Sequence, residues 1–237
     1  MSSIAVPLKH SRSSFFFTMG IMALVMVLAG FSSTYIIPMA NGTYSAFPIY
    51  HVHGAIFLGW ILLTIVQPYL VKSDNVALHR KVGKLGGYYA IVVFIMGVVI
   101  SFVTAYRDIG LGKEQEAKSF FIIPLTDMVV FALFVSMAIL KRHDRESHKR
   151  LILLANVSIL PAALGRLSNA MGVTSIPVII LILESFIIVG VVYDLVIRRR
   201  IHSVYLWGGA VMVFVHVGRF AVMNSVAWRK IADAMLD

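Results

Sequence analysis

Six ionisable residues lie inside stretches that are otherwise apolar: His53, Asp127, Arg166, Glu184, His216 and Arg219. Each falls roughly five to ten residues from the same end of its stretch, so at ~1.5 Å per residue the six share one layer. An ionisable side chain inside a bilayer costs at least ~2.5–3.5 kcal/mol, and it normally faces a partner within the protein. Two carboxylates, two imidazoles and two guanidiniums in one layer could relay protons, with Asp127, Glu184, Arg166 and Arg219 as the catalytic candidates. His53, Asp127 and His216 are the candidate ligands for a metal ion, and Arg166 and Arg219 the candidate receivers of a small anion. The plainer alternative is structural, with Asp127 and Glu184 pairing with Arg166 and Arg219 to hold the helices together.

A second layer contains His79, His148 and His202, beside Asp194 and a run of arginines. Each of these histidines opens an apolar stretch just after a basic loop. Imidazole suits haem iron, zinc and copper, so three convergent rings would make a metal site. The alternative is that they contact helix ends and lipid phosphates. The surrounding positive charge repels a metal cation and favours anionic lipid headgroups, an anionic substrate or haem propionates. Trp60 and Gln67 are expected to pack and bond between helices. His10, His51 and His143 are expected to be solvated.

Positioning these residues is the work of membrane-spanning helices. Of 237 residues, 59% are hydrophobic and 14% charged, with a mean hydropathy of +0.87. A soluble domain needs more polar surface than that. Spanning hydrocarbon takes roughly 20 apolar residues, and seven stretches qualify, at about 15–37, 49–71, 85–105, 119–140, 151–171, 176–197 and 204–226. The first is too long for a signal peptide and lacks a small-residue cleavage site, so it reads as a retained helix. The expected fold is all-α: one integral membrane domain over 1–237, built as one helix plus three hairpins.

The net charge of +10 is distributed as topology signals, which argues against a nucleic-acid partner. Lys9 and Arg12, then Lys72 to Lys84, Lys141 to Arg150, and Arg198 to Arg200 fall on one side. No Lys or Arg lies between Pro38 and Pro48 on the other. The positive-inside rule therefore predicts a cytoplasmic N-terminus and an outer C-terminus, in a multi-pass protein of the cell's inner membrane. There is no cysteine, which excludes disulfides, Fe–S clusters and thiolate metal sites. No lysine lies within the last span to form a retinal Schiff base. HExxH and phosphate-loop motifs are absent, as is an HxxxH in the last span.

The run from His53 to Gly97 resembles a group of uncharacterised bacterial multipass membrane proteins. Their pattern is a helix-start histidine, a late glutamine, then Leu-His-Arg-x-x-Gly and a further glycine. Here those positions are His53, Gln67, Leu78-His79-Arg80, Gly83 and Gly97. Pro124–Asp127, Ser147–Ala155, Gly165-Arg166, Tyr193-Asp194 and His202–Gly209 also look like that group. More distantly, the hairpin with a histidine on each helix is similar to the cytochrome b561 class. That resemblance implies haem b, held by His79 and His148, with His53 and His216 as a second pair. Asp127 departs from the pattern, standing where that class has a histidine. On this basis the leading expectation is a b-type-haem or quinone-linked redox protein. A metal-dependent intramembrane enzyme, a transporter or binder of a small anion, and a membrane assembly partner are the alternatives.

Overall fold

The computed structural model describes residues 8–45 and 47–237, with side chains from Ser14 onward. Lys9, His10 and Arg12 therefore lie outside the residues whose side chains are described. All regular structure among the described residues is helical. Helix α1 (Leu8–Phe31) passes through a π-helical turn (Ser32–Ile36) into the short α2 (Ile37–Ala40). Then follow α3 (Pro48–Lys72), α4 (Val76–Gly110), α5 (Glu114–Phe120) and α6 (Ile122–Leu140). The remainder is α7 (Arg145–Ser158), α8 (Pro161–Ala170), α9 (Ile176–Arg198), α10 (Ser203–Val222) and α11 (Val226–Leu236).

Six helical segments are long and apolar enough to cross a membrane, and α7 with α8 makes a seventh if that bent pair is one span. The chain is a multipass membrane protein. Six of the seven expected stretches reappear as single segments, with instructive differences. The stretch at 151–171 is broken: α7 and α8 meet at 45°. Proline at 161 has no N–H to give the preceding turn, so it opens a new helix instead of continuing the old one. The third span is much longer than its apolar part, because α4 starts at Val76, where the Asn75 side chain accepts from Leu78 N at 3.2 Å. The last span ends at Val222, and the chain then folds into α11.

That final helix is amphipathic in pattern. Trp228, Ala232 and Leu236, four residues apart, are buried against Ala105, Phe121, Ile122 and Met223. Its other face carries charge. Asp233 and Asp237 join Glu114 around Lys118 Nζ, at 2.9, 2.7 and 2.7 Å. Trp228 Nε1 donates to the Lys118 carbonyl at 2.9 Å. This cluster pins α11 to α5 at the end of the bundle opposite the basic loops.

Within the bundle α3 packs on α1 and α4, α6 on α4 and α7, and α10 on α6, α7 and α9. Phe131, Phe134, Leu154 and Met212 are fully buried at the centre. Trp60 meets Phe131 edge-on at 5.1 Å and donates to Asn156 Oδ1 at 2.9 Å, while Asn156 Nδ2 donates to Thr64 Oγ1 at 2.9 Å. Trp60 thus packs and bonds between α3 and α7, as expected. Glycines let helices approach closely, and at Gly30 the neighbour is backbone: a Cβ there would run into the carbonyl of Ala163 where α1 crosses α8. Backbone yields less than a side chain. Gly30→Ala is therefore expected to cost roughly 1–3 kcal/mol, read as easier unfolding in mixed micelles. Wild-type stability in that variant would mean the crossing is looser than described.

Candidate functional site

At the end of the bundle away from the basic loops, α10 presents His216 and Arg219 three residues apart, on one helical face. Asp127 of α6 and Glu184 of α9 face them. Arg219 Nη1 donates to Asp127 Oδ1 at 2.5 Å, and His216 Nδ1 lies 2.6 Å from Glu184 Oε1. All four residues are buried, His216 completely. Asp127 pairs with an arginine, as the structural alternative expects, but Glu184 takes a histidine as its partner, and Arg166 stays outside. Depth along a helix can be counted in sequence, but rotation about its axis is decided by packing.

Three buried polar atoms of this group have no protein partner: Glu184 Oε2, His216 Nε2 and Arg219 Nε. Native interiors leave few such atoms unsatisfied, so a cluster of three marks a place for water, a proton or a ligand. The pairing limits what can enter. Arg219 is already engaged by Asp127, and a second carboxylate, Glu184, stands in the same group, so Arg219 is poorly placed to receive an anion.

His53 is not part of this group. It is half-buried on α3, its ring 4.3 Å from that of Phe57 and its Nδ1 without a partner. Among the described residues no group of three or more His, Asp or Glu stands close enough to hold a metal ion. The candidate set His53, Asp127 and His216 is therefore not brought together, nor are His79, His148 and His202 as a triad.

At the opposite end, the three loop histidines serve helix ends. His148 Nδ1 lies 2.8 Å from the Ala138 carbonyl, one of the last four acceptors of α6. His79 Nδ1 lies 3.3 Å from the carbonyl of Gln67, whose side-chain amide also touches it. His202 instead caps its own helix, its Nδ1 accepting from Val204 N at 3.2 Å. The two hairpins that share His-Arg or His-Lys tie the ring back to the preceding helix, and the one that reads His-Ser does not. His51, expected to be solvated, is bonded to Tyr35 Oη at 2.7 Å.

Compared with family models, curated proteins and solved structures, the chain has no match. The site must speak for itself.

Beside the loop histidines lies a network that sequence reading missed. Arg150, fully buried, grips Asp194 with two nitrogens, Nε at 2.9 Å and Nη2 closer still. Its Nη1 donates to Glu146 Oε2 at 2.8 Å, which also accepts from Arg198 Nη1 at 2.5 Å. Asp194 Oδ2 accepts from His202 N at 3.1 Å, locking α7, α9 and the start of α10 together. The signal was present: Arg150 is a sixth residue in on a span that begins at Arg145, and Asp194 is the one carboxylate near the end of its own. Sequence reading counts Arg150 among the loop charges and sets Asp194 beside the histidines, without joining the two.

Burial, with Arg150 and Arg198 nearby, holds the His202 imidazole below its ordinary value, and Asp194 and Asp144 oppose them only partly. The capping bond requires neutral Nδ1. Because the folded value is depressed, stability is fully present above pH ~6.5 and is lost as pH falls toward the folded value. Asp144, whose carboxyl caps α7 and is held low by Ser147, gives way only at more acidic pH. His202→Asn keeps a capping acceptor that does not titrate. Thermal unfolding between pH 7 and 5 should then become flatter than in the wild type, and an unchanged slope would assign the acid sensitivity elsewhere.

Proposed function

We propose that this chain is a redox protein of the inner membrane that exchanges electrons and protons with a quinone. The observation carrying the reading is the Glu184–His216 pair, buried, hydrogen-bonded and with one unpartnered polar atom left on each residue. A quinol becoming a quinone releases two electrons and two protons. His216 has Nε2 without a partner, open to take a proton, and Glu184 on Nδ1 stabilises the imidazolium that results. Asp127 and Arg219 neutralise each other beside it and fix the orientation of α10.

A b-type haem, if bound, would act as a one-electron carrier. Metal-bound imidazoles are usually held through Nδ1 by a carbonyl or carboxylate, which orients the ring and leaves Nε2 to coordinate. His148 fits that demand, with Nδ1 at the Ala138 carbonyl, and His79 fits it when its Nδ1 donates to the Gln67 carbonyl instead of accepting from the Gln67 amide. His53 does not, because its Nδ1 has no anchor. The supported ligands are thus the inner pair, with His216 left for protons.

The test is a dithionite-reduced minus oxidised spectrum of detergent-purified protein, with iron determined on the same sample. A reduced b-type band is expected, lost in His148→Ala and kept in His216→Ala. A colourless sample that also fails to bind a quinone would sink the reading. One observation favours a second, proton-coupled transport. The break between α7 and α8 ends two helices inside the membrane, as transporters do around their substrates. Proton flux into vesicles without any redox partner would decide for it.

A further inference from the structure

Arg166 stands apart from the paired core. Its guanidinium lies 4.5 Å over the ring of Phe31, and its one hydrogen bond goes to the Ala162 carbonyl at 2.8 Å. Among the described residues no carboxylate pairs with it. It lies near the end of α8, about 6 Å along the axis from Ala170, which is headgroup depth for a span of this kind. One positive charge is left uncompensated there.

Around it the end of α1 and the start of α3 gather hydrogen-bonding groups. Tyr35 Oη meets His51 Nδ1 at 2.7 Å, and the Tyr44 ring stands 4.9 Å from that of Tyr35 and 5.5 Å from that of His51. Tyr35 belongs to the π-helical turn Ser32–Ile36, a rare geometry that is frequent at functional sites. His53, on another face of the same helix from His51, offers a buried Nδ1 that no protein group satisfies. Arg166 is within electrostatic reach of His53, Tyr44 and Tyr50. Arg107 stands within electrostatic reach of Arg166 but is spent: it pairs with Asp108 at 2.7 Å and donates to Tyr50 Oη at 3.3 Å.

The contrast with Arg219 is chemical. That guanidinium is paired with Asp127 in a group that holds a second carboxylate, Glu184. Arg166 has only Nη1 bonded, to a backbone carbonyl, and its planar fork has the geometry that receives phosphate oxygens through two parallel bonds. We propose that this cluster binds a phosphate-type oxyanion on Arg166, with His53 Nδ1 and the tyrosine hydroxyls as accompanying groups. The phosphate belongs either to a lipid headgroup or to a soluble molecule, and one experiment separates the two.

Purified protein in a neutral detergent is titrated with inorganic phosphate by calorimetry. The same protein, reconstituted with phosphatidylcholine and phosphatidylglycerol, is then released for native mass spectrometry. Calorimetric binding identifies a soluble source, and selective retention of phosphatidylglycerol alone identifies the lipid. In either case Arg166→Gln is expected to weaken the interaction by at least ~10-fold, as losing one charge-assisted contact would. Arg166→Lys should recover part of it. Should Arg166→Gln fail to fold, His53→Gln is read instead, with several-fold weakening expected. Wild-type protein that binds neither probe, or variants that bind as the wild type does, would overturn the proposal.

Discussion

Arg150→Met is expected to make unfolding in mixed micelles easier by about 3–5 kcal/mol. The substitution fills much of the same space, so the loss is electrostatic. Asp194, with no exposure at all, would be left as a buried carboxylate holding only the backbone N–H of His202. Glu146 would keep Lys149 at 2.7 Å and Arg198 at 2.5 Å, so it does not share the penalty. A double variant separates the cost of stranding a charge from the worth of the bond itself. Arg150→Met with Asp194→Leu removes both charges, and most of the lost stability should return, because buried pairs often do little better than apolar residues of similar volume. If the double variant is as unstable as the single one, the network holds the helices in place through more than this pair.

Glu184→Gln should separate stability from activity. Glutamine has the same shape and can still accept from His216 Nδ1, so unfolding is expected to change by no more than about 1 kcal/mol. What it lacks is the negative charge that stabilises the imidazolium. Proton transfer by a positioned group contributes typically ~10²–10⁴-fold, and quinol-dependent electron transfer should fall within that range. Stopped-flow reduction and equilibrium unfolding on the same preparation give the comparison. Equal losses in both would mean that the pair only holds α9 to α10.

The spans were legible because bilayer thickness sets a length that hydropathy can be counted against. Helices that continue past the apolar zone were not. His79 to Lys84 read as a loop because they are polar, yet they form the first turns of α4. The signal for α11 is Ser225 followed by apolar residues at 228, 232 and 236, a spacing hidden where hydropathy extends the last span to 226. Pro161 was visible as a residue but not as a bend, since proline is tolerated in some membrane helices and breaks others. For the site, sequence placed Asp127, Glu184, His216 and Arg219 in one layer. It could not exclude Arg166 or His53, which occupy the same depth on faces turned elsewhere.

At about 52 Å, the 35 residues of α4 are far longer than the ~30 Å of hydrocarbon they cross. The apolar run from Leu85 to Ala105 matches that thickness by itself, with Arg80, Lys81 and Lys84 before it and Arg107 and Asp108 after. Charges at both shoulders resist sliding in either direction. A thinner bilayer would have to swell around this helix before the helix could tilt its charges into the oil. In effect α4 is a gauge, and the protein should partition among membranes by their thickness.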